Sequence, residues 1–253
     1  MLLILFAAAL FLPAYGAKRE AEKTAGGEAS ESEPAEYETA ENGTEEADGS
    51  GSGTAENETA GKIVIDPGHG GMDSGMVGES GASEKVLNLI YAKKLAALLE
   101  AEGYEAVLTR ETEDGLYDTD ASNKKAQDME RRVAIIAEED PLLTVSIHQN
   151  SYPEDPSVKG PQVFYFGQSA EGEKLAAAIQ DSLNEELAIE RPRTQKGNTT
   201  YYILKRSVST TVIVECGFLT NPEEEALLQE EAYQDQVAQA ICDGILDYIQ
   251  GGV

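Results

Sequence analysis

From Lys62 to Ile249 the chain switches repeatedly between two hydrophobic periods, and this alternation restricts the folds open to it. Five short runs rich in β-branched and aromatic residues are KIVID at 62–66, YEAVLTR at 104–110, LLTVSIH at 142–148, PQVFYF at 161–166 and TTVIVEC at 210–216. Each has the length and composition of a buried strand. The stretches between them carry helical spacing. Residues 83–102 form an amphipathic stretch with apolar residues at Val86, Leu87, Ile90, Leu95, Leu98 and Leu99, and Gly103 ends the pattern. Similar helices are expected over about 122–139, 170–189 and 231–249. Strands alternating with helices predict an α/β fold, a single domain over 62–250 with a mostly parallel central sheet flanked by helices. In such sheets ligands collect beyond the carboxyl ends of the strands, which directs attention to the loops after Asp66, His148 and Glu215.

The preceding residues read as lying outside that domain, a buried N-terminal helix over the first 16 being the lesser alternative. Residues 1–16, MLLILFAAALFLPAYG, are almost wholly apolar to Leu12, too short a run for a membrane span and suited to an export signal. Ala14 and Gly16 offer the small residues a signal peptidase reads, whereas the basic residues Lys18 and Arg19 follow the apolar run rather than precede it. A cleaved signal peptide and a retained membrane anchor are both open. Residues 17–61 are Glu, Ala, Gly, Ser and Thr, with Tyr37 as the one large apolar residue. Their 13 acidic against 3 basic residues supply 10 of the 28 net negative charges. Such a segment cannot bury enough apolar surface to fold, and a disordered acidic linker is expected, serving as a spacer or a solubilising tail.

The catalytic-type chemistry must come from few residues. The acidic balance excludes nucleic acid as a partner, since phosphate binding requires clustered Lys and Arg. Two cysteines, Cys216 in an expected strand and Cys242 in an expected helix, make no disulfide framework and read as buried thiols. The chain has two histidines, and both fall at strand ends: His69 in DPGHGG after the first strand and His148 closing LLTVSIH. Glu215 closes a late strand, and Glu84 opens the first long helix facing the same edge. Two imidazoles and one carboxylate form the His₂Glu ligand set of hydrolytic zinc, and a second carboxylate nearby supplies acid–base chemistry. Spacing alone does not decide which glutamate takes which part. Gly68, Gly70 and Gly71 let backbone approach the histidine closely. A phosphate cradle is a poor alternative, because GHGGMDSG matches neither a P-loop nor GxGxxG.

At these residues the chain resembles the zinc-dependent N-acetylmuramoyl-L-alanine amidases of the amidase_3 type. IVIDPGHGGMDSG, the helix-opening SEK, SIHQNS and TVIVECGFLTNPEE occur in the order and spacing of that family. The resemblance implies zinc on His69, Glu84 and His148, with Glu215 as the catalytic carboxylate. It also implies a substrate, peptidoglycan glycan strands with stem peptides, cut between N-acetylmuramic acid and L-alanine. DTDASNKKAQDMERR, SIHQNSY and GEKLAAAIQ are similar to the CwlD-type spore-cortex branch. That branch implies muramic-lactam formation with a deacetylase acting on the product. It also implies an exported, extracytoplasmic protein of the cell envelope or forespore intermembrane space, secreted or membrane-anchored.

Further site residues are expected around this set. Asn150 and Ser151 follow a ligand histidine and are candidates for bonding peptide or sugar. Arg131, or its neighbour Arg132, is a candidate for a substrate carboxylate, against the reading of a helix-surface charge. The proline-containing loop QNSYPEDPSVKGPQ and the stretch NTTYY at 198–202 are candidate groove walls, the tyrosines suited to stacking on sugars unless they begin a strand. Two other functions compete: a zinc peptidoglycan carboxypeptidase, and a wall-binding domain without catalysis. The 15 positions between His69 and Glu84 disfavour the first, whose ligands lie close together as HxxE.

Overall fold

The computed structural model describes residues 59–251. The expected export segment 1–16 and nearly all of the acidic linker 17–61 lie outside the described residues. Among the described residues no helix is long and apolar enough to cross a membrane.

Strands β1 (Lys62–Pro67), β2 (Glu105–Leu108), β3 (Leu143–Asn150), β4 (Gln162–Phe166), β5 (Lys196–Asn198) and β6 (Thr210–Phe218) form one sheet in the order β2-β1-β3-β6-β4-β5. β2, β1, β3 and β6 run parallel, β4 pairs antiparallel with β6, and β5 runs parallel to β4. The helices are α1 (Glu84–Ala101), α2 (Lys124–Glu139), α3 (Ala170–Glu186), α4 (Tyr202–Arg206), α5 (Pro222–Leu228) and α6 (Glu231–Ile249). The α/β architecture and its mostly parallel sheet are as the hydrophobic periods predict.

Strand alternation divides the interior into two unequal halves. Ile63, Ile65, Val145, Ile147, Val212, Val214 and Cys216 face one side, where Tyr91, Leu95 and Leu99 of α1, Ile179 of α3 and Ile241 of α6 complete the larger core. Val64 and Ile213 face the other side, against Ile136 of α2 and Ile203 and Leu204 of α4. Fully burying each of these aliphatic side chains contributes about 1.5–3 kcal/mol. The smaller side carries only one long helix and one short one. Asp66, Ser146, His148 and Glu215 share the parity of Val64 and Ile213, so they emerge on that thinly covered side at the carboxyl ends of β1, β3 and β6.

Three elements escape the sequence patterns. β5 is three residues, Lys-Gly-Asn, with nothing apolar to betray it. α4 is too short to show a helical period, and Tyr201 and Tyr202 open that helix rather than a strand. α5 begins at Asn221-Pro222, where the Asn side chain accepts from the backbone N–H groups of Glu223 and Glu224. Cys216 and Cys242 are free and buried, as expected.

Candidate metal centre

β1 stops at Asp66-Pro67, and the chain turns sharply into Gly68-His69-Gly70. His69 itself takes φ 61°, a left-handed conformation that costs a non-glycine residue energy and must be held by its surroundings. Two buried arginines hold it. Arg110 donates through Nε to the carbonyls of Pro67 at 2.9 Å and His69 at 2.8 Å, and through Nη2 to that of Gly68 at 2.9 Å. Arg132 donates to the carbonyl of Pro67 at 2.8 Å and to that of His69. Its own charge is met by Asp66 and Asp128, each at 2.6 Å. Asp66 also accepts from Thr109 and Ser146, each at 2.6 Å. Burial alone would raise its pKa, but Arg132 and the two hydroxyls outweigh that and hold it at about 2.

The imidazole that this loop presents meets two other groups. His69 Nε2 lies 3.1 Å from Glu84 Oε1, and the same oxygen lies 3.0 Å from His148 Nδ1. Glu84 is the first residue of α1, yet its side chain turns inward and is buried, so it does more than complement the helix dipole. Its Oε2 accepts from Met76 N at 2.8 Å, and Oε1 from Gln149 N at 3.2 Å. Burial opposes its charge, but the hydrogen bonds with His148 and His69 prevail and keep it ionised well below the usual carboxylate range. Two glycines leave room for this convergence. A Cβ on Gly68 would sit 2.2 Å from the His148 ring, and one on Gly75, at φ 63°, 2.4 Å from Glu84 Oε2.

The donor set fits a metal ion. The ligand atoms of His69, Glu84 and His148 all lie within 4.8 Å of one another. Donors about 2.0–2.1 Å from a tetrahedral zinc sit about 3.3 Å apart, close to the 3.0 and 3.1 Å found here. His69 Nδ1 is 3.0 Å from Asp73 Oδ1, an arrangement that leaves Nε2 free to ligate.

Glu215 approaches from the next strand. In the parallel pairing of β3 and β6 it is the register partner of His148, so the strand spacing of about 4.8 Å separates their backbones. Its Oε2 is buried and has no hydrogen-bond partner. Burial pushes its pKa up to about 7, with His148 and His69 opposing this and Glu84 adding to it. A carboxylate poised there exchanges protons readily at neutral pH. Cys216, next along the strand, points into the large core, where burial pushes its thiol far above the neutral range and makes it inert.

A cleft of about 560 Å³ opens over these groups, lined by His69, His148 and Glu215 and walled by Tyr117, Tyr201 and Tyr202. The NTTYY wall therefore stands where the sequence places it. The proline loop instead lines a second, smaller depression through Pro153 and Pro156. Asn150, whose side chain accepts from Ser151 N at 2.8 Å, and Ser151 are not among the residues lining the main cleft. Arg131 is half exposed and paired with Asp118 at 2.7 Å, also outside the lining, whereas the buried Arg132 reaches it. Sequence reasoning overlooks Asp73, Arg110, Tyr117 and Asp128, and takes Asp66 only as the strand end before the histidine loop. Arg110, like Asp66, carried a signal, standing at a strand end on the same edge as His69.

Comparison with known proteins agrees with this geometry. The family model for N-acetylmuramoyl-L-alanine amidases, Amidase_3, matches residues 63–247. The germination-specific N-acetylmuramoyl-L-alanine amidase of Bacillus subtilis (strain 168) is 38% identical over 193 residues, covering 75% of this chain and 80% of that protein. The CwlD amidase from Clostridioides difficile, solved in complex with the GerS lipoprotein, has a TM-score of 0.73 at 34% identity, covering 76% of this chain and 99% of that one. The catalytic domain of the amidase CwlV from Bacillus (Paenibacillus) polymyxa var. colistinus has a TM-score of 0.65 at 29% identity, covering 75% and 98%.

Proposed function

The chain belongs to the Amidase_3 family of N-acetylmuramoyl-L-alanine amidases, hydrolases of the bond between N-acetylmuramic acid and L-alanine, and from that premise we propose how its cleft works. His69, Glu84 and His148 hold zinc, and Glu215 is the acid–base group. The observation that carries this reading is the single carboxylate oxygen of Glu84 lying 3.1 and 3.0 Å from two imidazole nitrogens, with the unpartnered Oε2 of Glu215 on the adjoining strand. Zinc bound there supplies a Lewis acid that polarises a carbonyl and makes water acidic near neutral pH.

The chain's own residues do the rest. Asp73 fixes the His69 ring, and Arg110 and Arg132 fix the loop that carries it. Glu215 accepts the proton of the attacking water at Oε2 and then delivers it to the nitrogen of the departing L-alanine. A basic amine is a poor leaving group until protonated, so the same carboxyl group serves both halves of the reaction. Tyr117, Tyr201 and Tyr202 offer flat apolar faces to the sugar.

The biological setting proposed is the spore cortex, with peptidoglycan as substrate, an extracytoplasmic or forespore location, and a deacetylase acting on the product. The similarity to a germination-specific amidase and to CwlD supports that setting. Residues 1–16 are proposed to direct export or anchor the protein, with 17–61 as the linker to a catalytic domain over 62–250. Asn150 at the end of β3, Ser151 after it and Arg131 of α2 stay as proposed substrate contacts, acting from outside the lining of the main cleft. Mass spectrometry of purified peptidoglycan incubated with the zinc-loaded protein tests the reaction. Intact stem peptides with a free L-alanine amino group are expected. Release of a terminal amino acid would make the protein a carboxypeptidase, and no release at all would leave it a wall-binding domain.

A further inference from the structure

We propose that Lys124 determines substrate choice by receiving a carboxylate of the stem peptide, within the first residues beyond the scissile amide. The inference rests on the amidase reading above and adds the chemical class of peptide that the cleft selects.

Lys124 is a costly residue in its position unless something anionic visits it. It is the first residue of α2, where the helix dipole disfavours a cation, and the first turn of that helix contains no acidic residue. It is half-buried in the cleft lining rather than extended into water. Its Nζ sits 3.6 Å from Met72 Sδ and 5.5 Å from the centroid of the Tyr117 ring, so two soft groups position the ammonium at the cleft wall. Among the described residues it makes no ion pair, although the chain carries 47 acidic residues against 19 basic ones. Lys125 beside it differs, being paired with Asp73 at 3.2 Å.

The location suits the substrate. Only Asp73 stands between Lys125 and the ligand His69, and Lys124 lines the same cleft as those three residues. Lys124 and Glu215 line one cleft, so a stem peptide whose alanine amide lies over Glu215 runs on, at about 3.5 Å per residue, within the cleft that also carries Lys124. An ammonium held in a partly desolvated wall binds a carboxylate more strongly than one in bulk water.

The test uses full-length, zinc-loaded protein and two muropeptides that differ in one group, the α-carboxyl of the second stem residue being free in one and a carboxamide in the other. The wild-type protein is expected to favour the free acid by about tenfold in kcat/KM, chiefly through KM, and the preference should weaken with added salt. Lys124→Met, which keeps the side-chain length over Tyr117, should treat the two substrates alike, and Lys124→Arg should retain the preference. Equal cleavage of both substrates by the wild-type protein, a measurement that needs no variant, would overturn the proposal while leaving the amidase reading intact. So would undiminished preference in Lys124→Met. If neither substrate yields a free alanine amino group, the amidase reading itself falls, and this proposal with it.

Discussion

Glu215 has one buried oxygen with no partner and a pKa raised to about 7, the rise coming from burial with the Glu84 charge adding to it. As the proposed base, it must be ionised to work, so kcat/KM should rise with pH through its pKa. The charge of a bound dication lowers that pKa, which puts the expected acid limb between the ordinary 4.5 and 7. Glu215→Gln should keep its metal, measured by elemental analysis, while kcat falls by about 10²- to 10⁴-fold. Gly68→Ala drives a methyl group into the His148 ring and should instead reduce zinc content, the opposite split between binding and turnover. The two histidines of this centre were legible because they are the chain's only ones and each stands at a strand end, whereas the parts proposed for Glu84 and Glu215 came from the family resemblance. Their supports were not legible. Asp73 and Arg110 act through Nδ1 of one ring and through backbone carbonyls, and neither contact leaves a trace in hydrophobic period or motif spacing.

Helices and strands obey the two periods where they are long enough to display them, which is why β1, β3, β6, α1, α2, α3 and α6 were foreseen and β5 and α4 were not. The reversal of β4 against β6 was equally hidden, since direction depends on how the connecting segments cross. Gly244 shows what periodicity omits about packing. It lies inside α6, where glycine is about 1 kcal/mol worse than alanine, yet a Cβ there would fall 2.5 Å from Cα of Ile179 in α3. Backbone contact between α3 and α6 is the reason for it. Gly244→Ala should therefore destabilise the domain by about 1–3 kcal/mol in urea unfolding, despite the better helix propensity of alanine.

Across the whole molecule, the three proposed ligands, from the β1–α1 connection, α1 and β3, would make a bound metal a cross-link between distant segments, present only in the folded state. Chelation should lower Tm by about 10 °C, for a loss of about 4 kcal/mol at a thousandfold excess of metal over Kd, with recovery on adding zinc. Acid should act separately. Asp66 has its pKa lowered from 3.8 to about 2, so its stabilisation is complete above pH 3.8 and disappears as pH falls through 2. That loss amounts to about 2 kcal/mol in metal-free protein, and Asp66→Asn should abolish this part of the acid transition while lowering stability at neutral pH. Strand β6 carries the widest implication, because Glu215 and Cys216 are neighbours on opposite faces of one ribbon. Selection on the reaction and selection on the interior thus act on the same few residues of backbone. A lineage that enlarges or trims the side chain behind the acid also shifts the acid, and its rate and its robustness must drift together.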